Sequence, residues 1–409
     1  MKLVDTNERL AKRIQSLSGD SIFVYPIVSS LNKHSAQTRI SSLIITDGNV
    51  DLYVNYHNID SSVVSDPINF SEFKRVCVYK LKEFLYHYEY PIANLYDLEA
   101  NLFHGAEDFD IDEGVIYTIF RRRQAPRAND LIPIWKHYEE FLKWKSKWLQ
   151  NVTTCTFSQL YPKSLFYIEK NGIQTTTGLE YTHYNFLTTT SRPSNAFGGI
   201  NYAALPKDGE IRSRFISRFE GGKLYQLDFD GYHLRLIGSL INVEIPLDIK
   251  AHKWLANQYG VDDSTAKAIT FRQLYGGVQD EYKHIPFFQK VSAYVDYLWS
   301  EFNIKKFVET PILHRKIKWS DDLNKNKLFN YILQSVETER NIVIIDKLFR
   351  LVDKKSKPVL YTYDSILFDI HPDDGIEYVK TIMSIMQIGG YPTDVEVGDN
   401  YKDMVKVSI

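Results

Sequence analysis

Residues 262–277 read DDSTAKAITFRQLYGG, and the reading of this stretch decides the reading of the whole chain. Lys267, Phe271 and Tyr275 recur at every fourth position, so on a helix of about 3.6 residues per turn they share one face. A cation followed by two aromatic rings suits a triphosphate that carries a sugar and a base. Aromatic residues at that spacing are more often core, and a lysine beside them more often lays its stem over apolar surface. The triplet therefore has to be weighed with the segments on either side of it.

Upstream, residues 225–235 read YQLDFDGYHLR, and downstream, residues 359–370 read VLYTYDSILFDI. Residues 223–227 have the pattern of a strand that delivers Asp228 at its end, with HLRLIGSLI continuing as a helix. Residues 358–363 and 366–370 form a hairpin pattern whose tight turn presents Asp364. An aspartate at a hairpin turn is ordinarily a turn former and nothing more. Two carboxylates on adjacent strands, however, form a site for two divalent ions. Asp228 and Asp364 are remote in the chain, so only the fold brings them together.

Taken in order, the three segments resemble motifs A, B and C of the family A DNA polymerases. The resemblance is good from about residue 180 to 402 and thin before that. It implies an α+β right-hand polymerase of palm, fingers and thumb, with a small antiparallel palm sheet, preceded by a reduced RNase H-like α/β exonuclease-type domain. The expected division is 1–125 for the exonuclease-like domain, 126–160 for a reduced thumb, 161–242 and 326–409 for the palm, and 243–325 for the fingers.

The implied activity is template-directed addition of dNTPs to a primer 3′-OH, with primer-template DNA as partner and replication accessory proteins as further partners. Asp228, Asp364 and the backbone carbonyl of Phe229 are the implied ligands of two Mg2+ ions, for which Mn2+ substitutes. One ion lowers the pKa of the 3′-OH and the other holds the triphosphate and leaving pyrophosphate. Lys267 neutralises the phosphates, Phe271 packs near the sugar, and Tyr275 stacks at the nascent pair or template base. Arg192 falls on the arginine that probes the primer minor groove, where acceptors shared by all base pairs report geometry without sequence. Asn195 is its weaker companion. Asn330 and Gln334, four apart in KLFNYILQSVETE, match a pair that contacts template and primer.

The departures from the family pattern are specific. His233 stands where a glutamate limits ribonucleotide entry, and Asp263 where an arginine binds phosphate. Tyr363 replaces the histidine before the motif C aspartate, Ser365 the acidic residue after it, and Ser191 a glycine. Asp263 adds a like charge near phosphate unless it caps the helix. His252 lies close to the family's phosphate-binding histidine and is expected to share that load. None of these changes removes a carboxylate from the metal pair.

The remaining sequence sets bounds. With 409 residues, 44% hydrophobic and 24% charged, the chain has the composition of a soluble multidomain protein. A net charge of -2 argues against a uniformly basic nucleic-acid binder while permitting a local basic groove. Two cysteines are too few for a disulfide framework or a thiolate zinc site. The charged N-terminal stretch and the absence of a long apolar run lead to the expectation of a cytoplasmic protein with no membrane segment, in the host cytoplasm if viral; its small size suits a phage or plasmid replicase.

Residues 21–58 read as a small antiparallel sheet with a hairpin turn at Asp47-Gly48, followed over residues 75–90 and 92–105 by a short strand and two helical patterns. Where a proofreading exonuclease would carry its Asp-x-Glu pair, the sequence reads Val24-Tyr25-Pro26-Ile27, and the later Asn-x-x-x-Asp becomes residues 79–83, YKLKE. The expectation is a scaffold without hydrolytic activity. Arg121, Arg122, Arg123 and Arg127 are either phosphate contacts or a solvated face. Residues 131–152 have the amphipathic spacing of a thumb helix, and residues 164–206 read as strand-rich. Two other functions compete with a DNA polymerase: a single-subunit RNA polymerase, which also lacks a glutamate at the His233 position, and a primer-template binding protein with a decayed site.

Overall fold

The computed structural model describes residues 2–4, 7–17, 21–28, 40–47, 50–55, 73–78, 84, 95–97, 156–185, 188, 190–195, 205–206, 209–317, 323–351 and 354–409. Residues 79–83, the arginine cluster at 121–127 and the expected thumb helix at 131–152 lie outside the described residues. The chain divides into two compact units, Met1–Phe166 and Tyr167–Ile409.

In the first unit the elements are β1 (Lys2–Val4), α1 (Asn7–Ile14), β2 (Ser21–Val28), β3 (Ile40–Thr46), β4 (Asp51–Asn55), β5 (Arg75–Val78) and β6 (Leu95–Asp97). Alternation buries Ile22 and Val24 of β2, Leu43 and Ile45 of β3, and Leu52 and Val54 of β4 in one core. The expected hairpin joins β3 and β4, with Asp47 Oδ1 accepting from the Val50 amide at 2.7 Å. The sheet order is β1-β4-β3-β2-β5-β6. Pairs β2·β3 and β3·β4 are antiparallel, while β2·β5 and β5·β6 are parallel. The strands within residues 21–58 are thus antiparallel as expected, while β1, β5 and β6 from outside that range make the whole sheet mixed, and the β4-β3-β2-β5-β6 run has the strand arrangement of an RNase H-like sheet. Leu95–Asp97 is a strand where periodicity suggested helix; parallel pairing with β5 overrides the local pattern.

The helix α2 (Thr156–Asn171) includes residues expected as strand; the strand-rich reading holds only after Gly172. There β7 (Ile173–Thr175) and β8 (Gly178–Glu180) form a hairpin, and β9 (Tyr184–Asn185) pairs with β10 (Ser194–Asn195). After α3 (Glu210–Ser213) comes β11 (Lys223–Phe229), and then the helices α4 (Tyr232–Leu240), α5 (Ala251–Tyr259), α6 (Asp263–Gly276) and α7 (Pro286–Lys305). The short pair β12 (Val308–Glu309) and β13 (Lys316–Ile317) leads to the long helix α8 (Lys325–Phe349). The chain closes with β14 (Lys357–Tyr361), β15 (Ser365–Ile370), α9 (Gly375–Met386), β16 (Thr393–Gly398) and β17 (Val405–Val407).

The second unit is built on the antiparallel sheet β14-β15-β11-β16-β17. The strand carrying Asp228 is its centre. Every residue of β15 is buried, as an interior strand covered on both faces requires. Leu224, Leu360 and Leu367 share a core with Ile173 and Phe215. Helix α8 begins with Asn324 as N-cap, its side chain accepting from the Lys327 amide at 2.9 Å. It is buried on several sides, so its interior includes Glu337, Glu339 and Asn341 beside Ile342, Ile344 and Ile345.

Candidate active site

The two aspartates are neighbours. Asp228 lies opposite Ser365 in the β11·β15 ladder, and the Phe229 amide donates to the Asp364 carbonyl at 2.9 Å. The turn that presents Asp364 is held by Thr362, whose amide donates to the Ser365 carbonyl at 2.9 Å and whose hydroxyl lies 2.6 Å from the Ser365 hydroxyl. Ser365 thus serves the turn. Tyr363 adopts φ 68°, a left-handed conformation unfavourable for an aromatic residue. Asn341 on α8 holds it there: the Asn341 amide donates to the Tyr363 carbonyl at 2.5 Å and the Tyr361 hydroxyl at 2.9 Å. Its oxygen accepts from the Tyr232 hydroxyl at 2.7 Å.

Helix α6 shows which face of the triplet helix packs. Ala266, Thr270, Gln273 and Leu274 are buried, whereas Lys267 is exposed and Phe271 keeps 41% of its surface open. The triplet is therefore not the core face. Phe271 and Tyr275 stack with centroids 5.7 Å apart, and His252 on α5 lies 5.9 Å from Phe271. Asp262, not Asp263, is the N-cap, its carboxylate accepting from the Ser264 and Thr265 amides at 3.0 Å. Hydrogen bonds from the Ser264 and Thr265 hydroxyls, and then those from the amides, hold the Asp262 carboxyl well below the usual carboxylate range. Asp263 is left exposed in the first turn, where a negative charge complements the helix dipole.

The C-terminal end of α6 is seated on α8. Asn330 Nδ2 donates to the Tyr275 carbonyl at 3.4 Å, and Asn326 Nδ2 to the Gly276 carbonyl at 3.2 Å. Gly277, at φ 94°, allows this approach, because a Cβ there would lie 2.8 Å from Asn326 Nδ2. At the other side, Gly231 (φ 51°) lets α4 start against α5: an added Cβ would meet Ala251 Cβ at 2.5 Å. Asp230 Oδ2 accepts from the Ala251 amide at 3.0 Å and pairs with buried Arg235 at 2.8 Å. Arg235 also donates to the Ile245 and Ile249 carbonyls at 3.1 and 2.8 Å, fixing the connection that places His252.

Arg192 sits on a loop anchored to α8. Ser191 adopts φ 58°, the conformation in which a glycine would be unstrained. Buried Arg315 donates to the Ser191 hydroxyl at 2.8 Å, and Arg315 is itself paired with buried Glu339 at 2.7 Å. Gln334 Oε1 accepts from the Thr190 hydroxyl at 3.2 Å. The Arg192 guanidinium lies 3.8 Å above the ring of Tyr363, a cation–π contact that brings it to the Asp364 turn. Its Nε is 3.1 Å from Glu337 Oε2. Asn195 donates to the Thr182 hydroxyl.

His233 on α4 links α8 to α6. Its Nε2 lies 3.2 Å from Glu337 Oε1, and its Nδ1 hydrogen-bonds the Tyr275 hydroxyl. Burial, then the Glu337 charge, pushes the Tyr275 phenol up to about 12. The Asp364 carboxyl is open to solvent on one side yet crowded by protein; desolvation, then Glu337, hold it above the usual carboxylate range, with Arg192 and His233 opposing. Desolvation and then Lys267 hold the His252 imidazole below its ordinary value.

Arg192, His233, Tyr275, Asn330 and Gln334 are thus brought into one contiguous region with Asp364 and Asp228, and Phe271 and His252 adjoin it through Tyr275. Sequence reasoning passed over Glu337 and Asn341. A usable signal was present: Asn330, Gln334, Glu337 and Asn341 step by four, three and four, one helical stripe that continues the pair already singled out.

Among the described residues no three His, Cys, Asp or Glu side chains converge as a metal cage, and no helix is long and apolar enough to cross a membrane. The donor set that does fit a hard divalent cation is the Asp228–Asp364 pair. A cation there would relieve the cost of ionising the crowded Asp364 carboxyl.

The sheet, the helix bearing the triplet and the aspartate pair together define a right-hand polymerase fold. No family model matches the sequence, and no curated protein matches it. Among solved structures the chain is similar to the POL domain of Pol1 from M. smegmatis, in complex with DNA primer-template and dNTP. The TM-score is 0.71 at 13% identity, over 98% of this chain and 100% of that one.

Proposed function

We propose that this chain is a template-directed DNA polymerase that extends a primer 3′-OH with dNTPs. The carrying observation is the juxtaposition of Asp228 and Asp364 at adjacent ends of β11 and the β14–β15 turn, joined through Tyr363, Arg192, Glu337 and His233 to the exposed face of α6. The fold shared with a domain bound to primer-template and dNTP supports the substrate class. In this reading 161–242 and 326–409 are palm and 243–325 fingers.

Asp228 and Asp364, with the Phe229 carbonyl, would hold two Mg2+ ions; bound there, the ions supply acidification of the 3′-OH and charge neutralisation at the phosphates. The protein's own contribution is positioning and electrostatics. Lys267 is free to meet the triphosphate, because the helix exposes it while burying Ala266 and Thr270. Phe271 and Tyr275 offer a stacked pair of rings to sugar and base. Arg192, held over the Tyr363 ring, offers its guanidinium to the primer minor groove. His252 favours its uncharged form before substrate binds, so Lys267 is the principal cation offered to phosphate. In the first unit, β2 carries Val24, Tyr25 and Pro26 buried where metal-binding carboxylates would be needed, which supports a scaffold without proofreading.

Extension of a labelled primer on a DNA template with Mg2+ tests the proposal, with dNTPs and NTPs compared in parallel. Wild-type extension with dNTPs, lost in Asp364→Ala, is the expected result. Preference for NTPs would assign an RNA polymerase instead, and binding without synthesis would reduce the chain to a primer-template binding protein. Degradation of single-stranded DNA by the wild type would refute the scaffold role of the first unit.

A further inference from the structure

Three buried polar atoms around the Glu337 carboxylate lack an aligned hydrogen bond among the described residues: Nε of Arg192, Nε2 of His233 and Oε2 of Glu337 itself. They are nonetheless close, at 3.1 Å for Arg192 Nε to Glu337 Oε2 and 3.2 Å for His233 Nε2 to Glu337 Oε1. Glu337 is 1% exposed, and a carboxylate buried so deeply normally completes its hydrogen bonds. Catalytic contacts in substrate-free sites are often misaligned and tighten when the complex assembles. The carboxylate is therefore poised between its two partners.

Those partners belong to different parts of the site. Arg192 comes from the loop after β9 and lies over Tyr363, next to Asp364. His233 comes from α4, directly after the Asp228 strand, and its other nitrogen holds the Tyr275 hydroxyl of α6. One carboxylate with one oxygen on each partner makes a continuous chain, Arg192–Glu337–His233–Tyr275. We infer that Glu337 is a positioning residue that couples the seating of primer-template at Arg192 to the seating of the incoming nucleotide at Tyr275. The inference rests on the polymerase reading for what the two ends touch, and on the contacts themselves for the chain.

A purely structural ion pair would stabilise the unit without transmitting anything, and the two roles separate experimentally. Glu337→Gln keeps the shape but replaces one acceptor oxygen by a donor, which then faces the Nε–H of Arg192 or the His233 ring. In the wild type, binding of labelled primer-template, followed by anisotropy with Ca2+ in place of Mg2+, is expected to tighten when the next correct dNTP is added. In Glu337→Gln that tightening is expected to vanish, and the KM for dNTP to rise about tenfold, the equivalent of one charge-assisted hydrogen bond, with a smaller change in kcat. Tyr275→Phe is expected to do the same, and the double variant to be no worse than Glu337→Gln alone. Additive effects, or tightening preserved in Glu337→Gln, overturn the inference.

A second readout does not depend on activity. The side-chain 15N resonances of His233, assigned with His233→Asn, are expected to move in Arg192→Ala, although His233 and Arg192 share no hydrogen bond among the described residues and each meets Glu337 instead. They are expected to stay put when the same substitution is made in Glu337→Gln. Should the wild type neither bind nor extend primer-template, the polymerase reading fails while this measurement still decides the relay. No movement in Arg192→Ala ends it.

Discussion

Asn341→Ala removes the side chain that holds the Asp364 turn, and its cost follows from three contacts. The Asn341 oxygen accepts from Tyr232 at 2.7 Å, and its amide donates to the Tyr361 hydroxyl at 2.9 Å and the Tyr363 carbonyl at 2.5 Å. A typical hydrogen bond contributes about 1 kcal/mol net, and a buried group stripped of its partner costs about 1–3 kcal/mol. The two hydroxyls rotate and recover part of this; the Tyr363 carbonyl, fixed in the backbone, does not. A loss of about 3 kcal/mol is expected. Tyr363, at φ 68°, sits in a conformation that costs about 1–3 kcal/mol and persists only where its surroundings enforce it. With the carbonyl released, the turn relaxes and Asp364 shifts relative to the Phe229 amide.

Two measurements follow the change. Urea unfolding of the full chain is expected to show a lower midpoint at unchanged slope. Single-nucleotide extension, at a temperature where the variant is folded, is expected to lose at least about tenfold in kcat, since small misplacements of reacting groups are costly. Asn341→Asp is expected to be worse than Asn341→Ala, because it sets a carboxylate against the Tyr363 carbonyl. An unfolding midpoint equal to that of the wild type, or a lowered midpoint with undiminished kcat, would show that Asn341 does not hold the turn as described.

Lys267→Ala is expected to raise the titration midpoint of His252, followed by NMR, because removing a like charge eases protonation; a midpoint that stays put or falls would contradict the proximity of the two. With a depressed folded-state value, His252's stabilising contribution is full above the ordinary histidine value and is lost as pH falls below it, so the acid-side decline in thermal stability should shrink in the same variant. Gly231→Ala is expected to lower the thermal midpoint by the equivalent of about 1–3 kcal/mol, since a non-glycine residue is strained at φ 51° and its Cβ would overlap Ala251; an unchanged midpoint would mean that α4 and α5 separate freely.

Local signals made much of the second unit legible. Strand β11, the β14–β15 hairpin and helix α4 follow from apolar patterning and turn chemistry and lie close to where that patterning put them, whereas α8 runs to Phe349, well past the stretch that carried Asn330 and Gln334. Where patterning failed, the cause was pairing or continuity beyond the local window. Leu95–Asp97 became a strand because β5 was there to pair with it, and residues 164–171 continued a helix begun at Thr156. The cap that was one of two readings of Asp263 falls on Asp262, one residue earlier, within the usual uncertainty of a helix boundary.

By itself the sequence determined which residues have the chemistry: two aspartates at strand ends, a lysine with two rings on one helical face, and an arginine in a loop. It could not say that Asp228 and Asp364 are adjacent, because their register is set by pairing between strands remote in the chain. Nor could it show that Lys267 and Phe271 face outward while Tyr275 turns in toward His233, since helical spacing is the same for a core stripe and a binding face. Glu337 and Asn341 gained their places only in the tertiary structure. A polar side chain inside a long buried helix has no visible partner until the loop with Arg192, the ring of His233 and the turn at Tyr363 are folded around it.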